Sequence, residues 1–294
     1  MNQNNGKWFN QKEKSRSGFG YFMMLFVLKC FPSLFMRFLA YIIGFFYWIF
    51  SAKDRNFSKT FLTAAYSAGA DFNKKRPSTL KHFISFALNV VENLQGWAKK
   101  FSFKNVSWQN DDVYNLVEKI NSGEGAILLV SHLGNAQMMK ALASMNEAGT
   151  RRKIDITSVM DIKMTGGFTK LLEHVNPDST FHVISSDSIG PDTIFILEER
   201  LKNGELVVIA GDRIGSHSDR FIEFDFLGRK AKFPYGVYLM ISLLNAPTYF
   251  VFGMRHSDLT LNPSYDMYVK KNDVTFDCTR KERENRIIKT AQNF

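Results

Sequence analysis

Short apolar runs alternate with segments of helical periodicity from about residue 104 onward. The apolar runs predict strands, and the periodic segments between them predict helices. The predicted strands are Ala126–Ser131, Ile154–Met160, Phe181–Ser186, Leu206–Ala210 and Pro247–Met254. The predicted helices are Ala136–Ala148, Phe168–Val175, Pro191–Asn203, Pro234–Asn245 and Arg280–Gln292. The alternation predicts an α/β fold with a largely parallel central sheet flanked by helices, in which ligands bind beyond the carboxyl ends of the strands.

A strongly apolar stretch, Gly18–Ala52, precedes this region and is interrupted only by Lys29 and Arg37. Pro32 should end a first helix, because the residue before proline avoids helical angles. A second helix over Ser33–Ala52 would be about 30 Å long and could span a bilayer, with Arg37 reaching outward to the headgroups. Alternatively, both segments lie in the membrane interface, or the second is a buried helix of a soluble protein.

The chain therefore divides into three predicted parts. Residues 1–17 form a polar leader with four cations and one acid, which places it in the cytoplasm by the positive-inside rule. Residues 18–52 form a membrane anchor. Residues 53–294 form the α/β domain, whose first part, 53–103, is helical.

The composition is that of a globular protein with one unusual feature, its phenylalanines. Hydrophobic residues make up 45% of the 294 residues and charged residues 22%, which excludes disordered, collagen-like and coiled-coil classes. The mean hydropathy of −0.17 excludes a polytopic membrane protein but not a single anchor. Ten of the 28 Phe lie in the first 50 residues, which agrees with an anchor there.

The net charge of +10 indicates anionic partners, such as nucleic acid, lipid headgroups or an acidic protein. The cations occur in short clusters, such as residues 74–76 and 151–153, rather than in a basic stripe, and we find no nucleic-acid-binding motif. Cys30 and Cys278 form no disulfide framework, and the six His show no metal-ligand spacing. The remaining anionic partners are a lipid headgroup surface or an acidic protein or cofactor, and we expect no nucleic acid and no metal.

The candidate chemistry follows the predicted strand Ala126–Ser131. The sequence there continues as Ser131-His132-Leu133-Gly134-Asn135-Ala136-Gln137 and then enters a predicted helix. His132 therefore lies at the carboxyl end of a strand, beside a glycine turn and a helix N-terminus. An exposed histidine on a rigid scaffold is suited to act as a general base.

The Ser-His-Leu-Gly-Asn run resembles the first motif of the lysophospholipid acyltransferase superfamily, in the branch of the bacterial lipid A late acyltransferases. Further motifs follow in the same order, namely Gly211-Asp212-Arg213, Phe226-Leu227-Gly228, Phe233-Pro234-Tyr235-Gly236 and Pro247. The apolar N-terminal segment also matches, so the likeness covers roughly residues 18–260.

The resemblance implies an enzyme that moves a fatty acyl group from an acyl thioester, acyl-CoA or acyl-ACP (acyl carrier protein), to a hydroxyl or amine of a lipid or glycolipid. His132 would remove the acceptor's proton, because an alcohol is a poor nucleophile at neutral pH. No bound cofactor is implied. The implied partners are membrane lipids and the thioester carrier, and the implied location is the cytoplasmic face of the bacterial inner membrane.

Gln137 departs from the family pattern, in which an Asp or Glu five positions after the His orients the imidazole. Its side-chain oxygen can accept a hydrogen bond from a ring N–H but carries no charge. In serine proteases the comparable loss of charge costs about 10⁴ in rate. Either another carboxylate just past a strand, Asp161 or Asp212, replaces it, or the chain is a weakened member that acts as a lipid-binding or accessory protein.

The remaining motifs imply substrate-binding residues around the same edge of the sheet. Arg213 and Arg220 flank a polar loop and fit phosphate groups of a donor or headgroup, or they are surface cations. Pro234 fits the first position of a helix, which leaves the following backbone N–H groups as an anion site or simply as a capped end. The predicted substrate-binding residues are Asn135, Asp212, Arg213, Arg220, Pro234 and Gly236.

Overall fold

The structure is a computed structural model that describes residues 30–72, 76–98, 100–101, 103–136, 149–152, 154–160, 181–186, 189–214, 220–255 and 259–294. Helices dominate up to residue 98, and strands alternate with helices after residue 105. The change in hydrophobic periodicity near residue 104 therefore marks a real change in architecture.

The described helices begin with three that form an N-terminal helical unit. Across these residues the α-helices are α1 (Ser33–Phe50), α2 (Ala52–Ser67), α3 (Thr79–Trp97), α4 (Asp112–Asn121), α5 (Pro191–Lys202), α6 (Tyr235–Leu244) and α7 (Arg280–Asn293). Their ends follow local chemistry: the Ser78 hydroxyl accepts the Lys81 N–H at the start of α3, and Thr279 and Glu282 form a capping box on α7.

The described strands form one large sheet and a separate hairpin. They are β1 (Val106–Trp108), β2 (Ala126–Gly134), β3 (Ile156–Met160), β4 (Phe181–Ser185), β5 (Leu206–Ala210), β6 (Phe221–Phe226), β7 (Arg229–Pro234), β8 (Thr248–Arg255) and β9 (Tyr265–Lys271).

Within the described residues the sheet has seven strands in the order β1-β9-β8-β2-β5-β3-β4. Strands β8, β2, β5, β3 and β4 are parallel, whereas β9 is antiparallel to β8 and parallel to β1. The predicted α/β fold with a mostly parallel sheet flanked by helices is confirmed. Strand β2 is central and buried on both faces, which explains its unbroken apolar run.

The core has two halves, one on each face of the sheet. Ile127 and Leu129 of β2 point to one face, where they pack in a cluster with residues of α5, α6 and α7. Leu128 and Val130 point to the other face and pack in a cluster with residues of α4. The period of two along the strand thus divides its apolar side chains between the two helical layers.

The sequence patterns missed the hairpin of β6 and β7 and placed one helix start wrongly. The hairpin turns at Leu227 and Gly228, whose φ angles of 51° and 72° suit the twist of a two-residue turn. Pro234 is the last residue of β7 and the cap of α6, so the prediction that it occupies the first helical position is wrong. The predicted helices over 137–148 and 168–175 lie outside the described residues.

Helix α1 begins directly after Pro32, as predicted, and packs along α3. Its buried residues are Met36, Arg37, Ala40 and Gly44. Gly44 permits this approach, because a Cβ there would lie 3.1 Å from the Cα of Ile84. By length and composition alone α1 could cross a membrane, with a mean hydropathy of 1.6 over its 18 residues.

Arg37 does not reach outward as the spanning interpretation expected. Its side chain is buried, where Nε donates to Oε1 of Gln95 at 2.9 Å and Nη1 donates to the carbonyl of Leu261 at 2.7 Å. Burial lowers the pKa of this guanidinium, and the charge of Glu92 opposes that shift. Arg37 therefore fixes α1 to the rest of the protein.

Candidate functional site

His132 and Asp212 meet at the carboxyl edge of the sheet because their strands are neighbours in register. Strands β2 and β5 pair in parallel, with Val130 opposite Ala210. Two residues further along each chain, His132 and Asp212 therefore face one another. The separate sequence motifs at 131–137 and 211–213 form one site.

Asp212 binds both the ring and the main chain of His132. Its Oδ1 lies 2.7 Å from Nδ1 of the imidazole, and its Oδ2 accepts the His132 backbone N–H at 2.6 Å. An ionised carboxylate is only an acceptor, so Nδ1 carries the proton. In the neutral ring Nε2 is then unprotonated and able to accept a proton. The His132 side chain is 43% exposed, so a substrate can approach it.

Asp212 stays ionised although it is largely buried. Burial disfavours its charged form, but hydrogen bonds and charge from His132, with a smaller contribution from Arg213, outweigh this, so the pKa of Asp212 lies below its ordinary value of 3.8. Burial lowers the pKa of Arg213, and the charge of Asp212 opposes that shift. Asp212 is the carboxylate that the sequence analysis named as one possible replacement for the acid absent at Gln137.

The backbone before Asp212 is held from two sides. The Gly211 N–H donates to the Val130 carbonyl at 2.9 Å, and the buried hydroxyl of Tyr238 donates to the Gly211 carbonyl at 2.9 Å. A Cβ at Gly211 would lie 2.9 Å from the Leu129 side chain. Burial and then the charge of Asp212 raise the pKa of Tyr238, which therefore remains a donor.

Asn135 is buried rather than open to the site. Its amide donates to the Tyr265 hydroxyl at 2.9 Å, and its backbone N–H donates to the Gly253 carbonyl at 2.8 Å. Tyr265 in turn donates to Glu92, which also binds Arg255. These contacts hold the turn after His132 to α3, β8 and β9.

Sequence reasoning missed this buried polar cluster. A signal for it exists in α3, where Glu92 falls among apolar residues and shares a helix face with Leu88, and both are fully buried. A buried carboxylate needs a cationic or hydrogen-bonding partner. Its partner Arg255 lies 163 residues away, so the sequence spacing does not identify it.

Arg220, Pro234 and Gly236 belong to a second group of contacts near the start of α6. The Arg220 guanidinium lies 3.8 Å from the centroid of the Tyr235 ring and 3.1 Å from Oε1 of Glu284. The Tyr235 hydroxyl donates to Oε2 of Glu284 at 2.6 Å. Gly236 is exposed at the second residue of α6, with nothing within 4 Å of its Cβ position.

Gln137 and Asp161, which the sequence analysis considered as partners of His132, lie outside the described residues. Among the residues that the structure does describe, no group of three or more His, Cys, Asp or Glu side chains is arranged to hold a metal ion. The described site contains an imidazole with a carboxylate partner.

An apolar groove with a volume of about 760 Å³ lies between α1, α2 and α3. This volume is in the range of cavities that hold small ligands. Large apolar side chains of the three helices are exposed, and some of them line the groove; we call this set the apolar face. Its members are Leu34, Phe35, Phe38, Ile42, Ile43, Phe45, Phe46, Ile49, Phe50, Phe57, Phe61, Phe86 and Val90.

The groove has a polar wall as well. The Ser58 hydroxyl lies 2.8 Å from Nδ1 of His82, and the Phe61 ring stacks on the imidazole with the two centroids 5.8 Å apart. Burial lowers the pKa of His82, so the ring is neutral at physiological pH. His82 thus differs from His132, which has a carboxylate partner.

No protein-family model matches this chain, and comparison with curated proteins gives no significant match. The acyltransferase resemblance therefore rests on the motifs in the sequence alone.

Proposed function

We propose that the protein transfers a fatty acyl group from an acyl thioester to a hydroxyl or amine of a lipid acceptor. His132 is the general base, and Asp212 is the carboxylate that orients it. The pairing of these two residues supports the proposal most strongly, because it combines an exposed imidazole, an ionised partner and a base-competent Nε2 at the carboxyl edge of a parallel sheet.

In the proposed reaction, His132 carries the proton from the acceptor to the leaving group. Nε2 of His132 removes the acceptor's proton while the acceptor oxygen or nitrogen attacks the thioester carbonyl carbon. Asp212 stabilises the imidazolium that forms. When the tetrahedral intermediate collapses, the carbon–sulfur bond breaks and the imidazolium returns the proton to the leaving thiolate. The products are an ester or amide and a free thiol.

The cations near the site have proposed roles in binding the anionic parts of the substrates. Arg213 directly follows Asp212 and would contact phosphate groups of coenzyme A or of a lipid headgroup. Arg220 would do so only on exchanging its contact with Glu284 for the ligand. The N–H groups at the start of α6, beside Pro234 and Gly236, are a further proposed anion contact.

The proposed location is the cytoplasmic face of the bacterial inner membrane, with the apolar face in contact with lipid. Monomeric soluble proteins rarely expose so many large apolar side chains together. A helix lying in the interface agrees better with the buried contacts of Arg37 than a helix that leaves the protein to span the bilayer.

The test is acyl transfer from isotope-labelled palmitoyl-CoA, and separately from palmitoyl–acyl carrier protein, to vesicles of total bacterial lipid. We expect His132→Ala to lower the transfer by on the order of 100-fold or more. His182→Ala is the control, because His182 is an exposed histidine near the amino end of β4, away from the carboxyl edge. Equal transfer by His132→Ala and the wild type would overturn the proposal, and mass spectrometry of the labelled product would identify the acceptor.

A lipid-binding or accessory protein without catalysis is the second candidate, and the groove beside the apolar face favours it. In that case the wild type would bind fluorescent fatty acid but leave the thioester intact. His132→Ala would then bind the fatty acid as well as the wild type does.

A further inference from the structure

The turn after His132 rests on a cluster of buried polar side chains, which we call the Glu92 cluster. It consists of Glu92, Arg255, Tyr265 and Asn135. The exposed fractions of Glu92, Tyr265 and Asn135 are 0%, 1% and 1%, and the Arg255 side chain is 11% exposed. The cluster joins α3, β8 and β9 to the residue three positions after His132.

Each member of the cluster has its partner within hydrogen-bonding distance. Nε and Nη2 of Arg255 lie 3.2 and 3.1 Å from Oε1 of Glu92. The Tyr265 hydroxyl donates to Oε2 of Glu92 at 2.5 Å and accepts the Asn135 amide at 2.9 Å. The chain of contacts from Arg255 to Asn135 is therefore continuous.

The pairing of β2 explains why this turn needs support. Strand β2 is in regular register with β8 from Ile127 to Val130, but the register shifts before the next pair, Gly134 with Gly253. His132 lies inside that irregular segment. Bulged segments of this kind occur next to active sites, where they re-aim a side chain. The ladder between β2 and β8 thus does not itself fix the backbone of His132.

Two kinds of contact replace the ladder there. On the β5 side, Asp212 holds the His132 N–H. On the β8 side, the Asn89 amide of α3 donates to the Gly134 carbonyl at 3.0 Å, and the Glu92 cluster holds Asn135. Gly134, with φ of 75°, fits only without a side chain, because a Cβ would lie 2.2 Å from the Gly253 carbonyl oxygen.

We propose that the Glu92 cluster positions His132. Tyr265 is the positioning residue, because its hydroxyl connects Glu92 to Asn135 in the turn after His132. The inference rests on the proposed acyl transfer for its kinetic part. A buried ion pair often stabilises a fold no more than apolar residues of the same volume would. A fully satisfied polar cluster does, however, specify one geometry, which a reacting imidazole requires.

The test compares Tyr265→Phe with Tyr249→Phe. Each variant removes one buried hydroxyl, but that of Tyr249 binds Asn115 at 2.6 Å, on the side of α4 rather than at the His132 turn. We expect Tyr265→Phe to lower kcat by about 10-fold to 100-fold with KM for the thioester changed less than about twofold, because a small misplacement of a reacting group is costly. Tyr249→Phe should leave kcat unchanged.

A second readout does not depend on acyl transfer. The Nδ1–H proton of His132 should give a separate NMR resonance through its bond to Asp212, and this resonance should shift or broaden in Tyr265→Phe but not in Tyr249→Phe. If the wild type transfers no acyl group, the proposed function fails, while this resonance still tests the positioning.

The positioning proposal is overturned if both tyrosine variants leave the His132 resonance and kcat unchanged, or alter them to the same extent. If Tyr265→Phe does not fold, Asn135→Ala takes its place, since it removes the amide that binds the Tyr265 hydroxyl and leaves Glu92 paired with Arg255. The same loss of kcat with constant KM is then expected.

Discussion

Asp212 restrains His132 with both of its oxygen atoms, one on the ring and one on the main chain. An asparagine offers a single acceptor oxygen, and its amide nitrogen would meet an N–H donor. The exchange therefore removes one of the two restraints and the charge that stabilises the imidazolium. Among the described residues, the carboxylate that binds this histidine is Asp212.

We predict that Asp212→Asn lowers acyl transfer by on the order of 10³- to 10⁴-fold, as in serine proteases that lose the corresponding charge. Gln137→Glu should raise it less than about threefold, because His132 already has a carboxylate partner. Initial rates at saturating thioester measure both effects. A large gain from Gln137→Glu, together with a small loss from Asp212→Asn, would show that the family's acid position matters here and Asp212 does not.

The lowered pKa of Asp212 also predicts how stability depends on pH. A carboxyl group whose pKa is depressed in the folded state stabilises the fold fully above its unfolded value, here about 3.8, and loses that contribution as the pH falls through the folded value. The difference in unfolding free energy between wild type and Asp212→Asn should therefore be smaller at pH 3 than at pH 5. Urea unfolding at pH 5 and 3 measures it, and a difference that grows from pH 5 to pH 3 would contradict the assignment.

Among the elements, α1 combines a buried polar residue with exposed aromatic ones. Four of its residues are buried against the protein, and Arg37 is one of them, whereas Phe35, Phe38 and Phe46 are exposed. In an isolated transmembrane helix the arginine would instead extend toward the headgroups and water. The distribution in α1 suits a helix that is fixed to the domain on one side and lies against lipid on the other.

We predict that the double variant Phe38→Asp, Phe46→Asp binds vesicles containing anionic phosphatidylglycerol on the order of 100-fold more weakly than the wild type, since each buried Phe contributes about 1.5–3 kcal/mol. The double variant Tyr114→Asp, Phe195→Asp is the matched control, because it adds the same charge at two exposed aromatic residues outside the apolar face. Sedimentation with vesicles measures binding, and circular dichroism checks that the variants fold. Equal binding by all three proteins would remove the apolar face from the membrane contact.

At the scale of the whole molecule, the sequence predicts individual strands and helices but misses the contacts between residues that are far apart in the chain. The central strands β2 and β5 were predicted because each is buried on both faces and reads as one apolar run. The partnership of His132 with Asp212 was only one of two alternatives, because it depends on β5 pairing beside β2. The contact of Glu92 with Arg255 depends on α3 packing at the end of β8, which no periodicity encodes.

Arg37 and Leu261, which are in contact, lie 224 residues apart in the chain and are therefore synthesised at different times. At a synthesis rate of about 5–20 residues per second, Arg37 leaves the ribosome about 11–45 s before Leu261. During much of that interval Arg37 can bind Gln95 of α3 but not the Leu261 carbonyl. With the apolar face in contact with lipid, as proposed, the nascent chain would attach to the membrane before the segment around Leu261 completes its contact with Arg37.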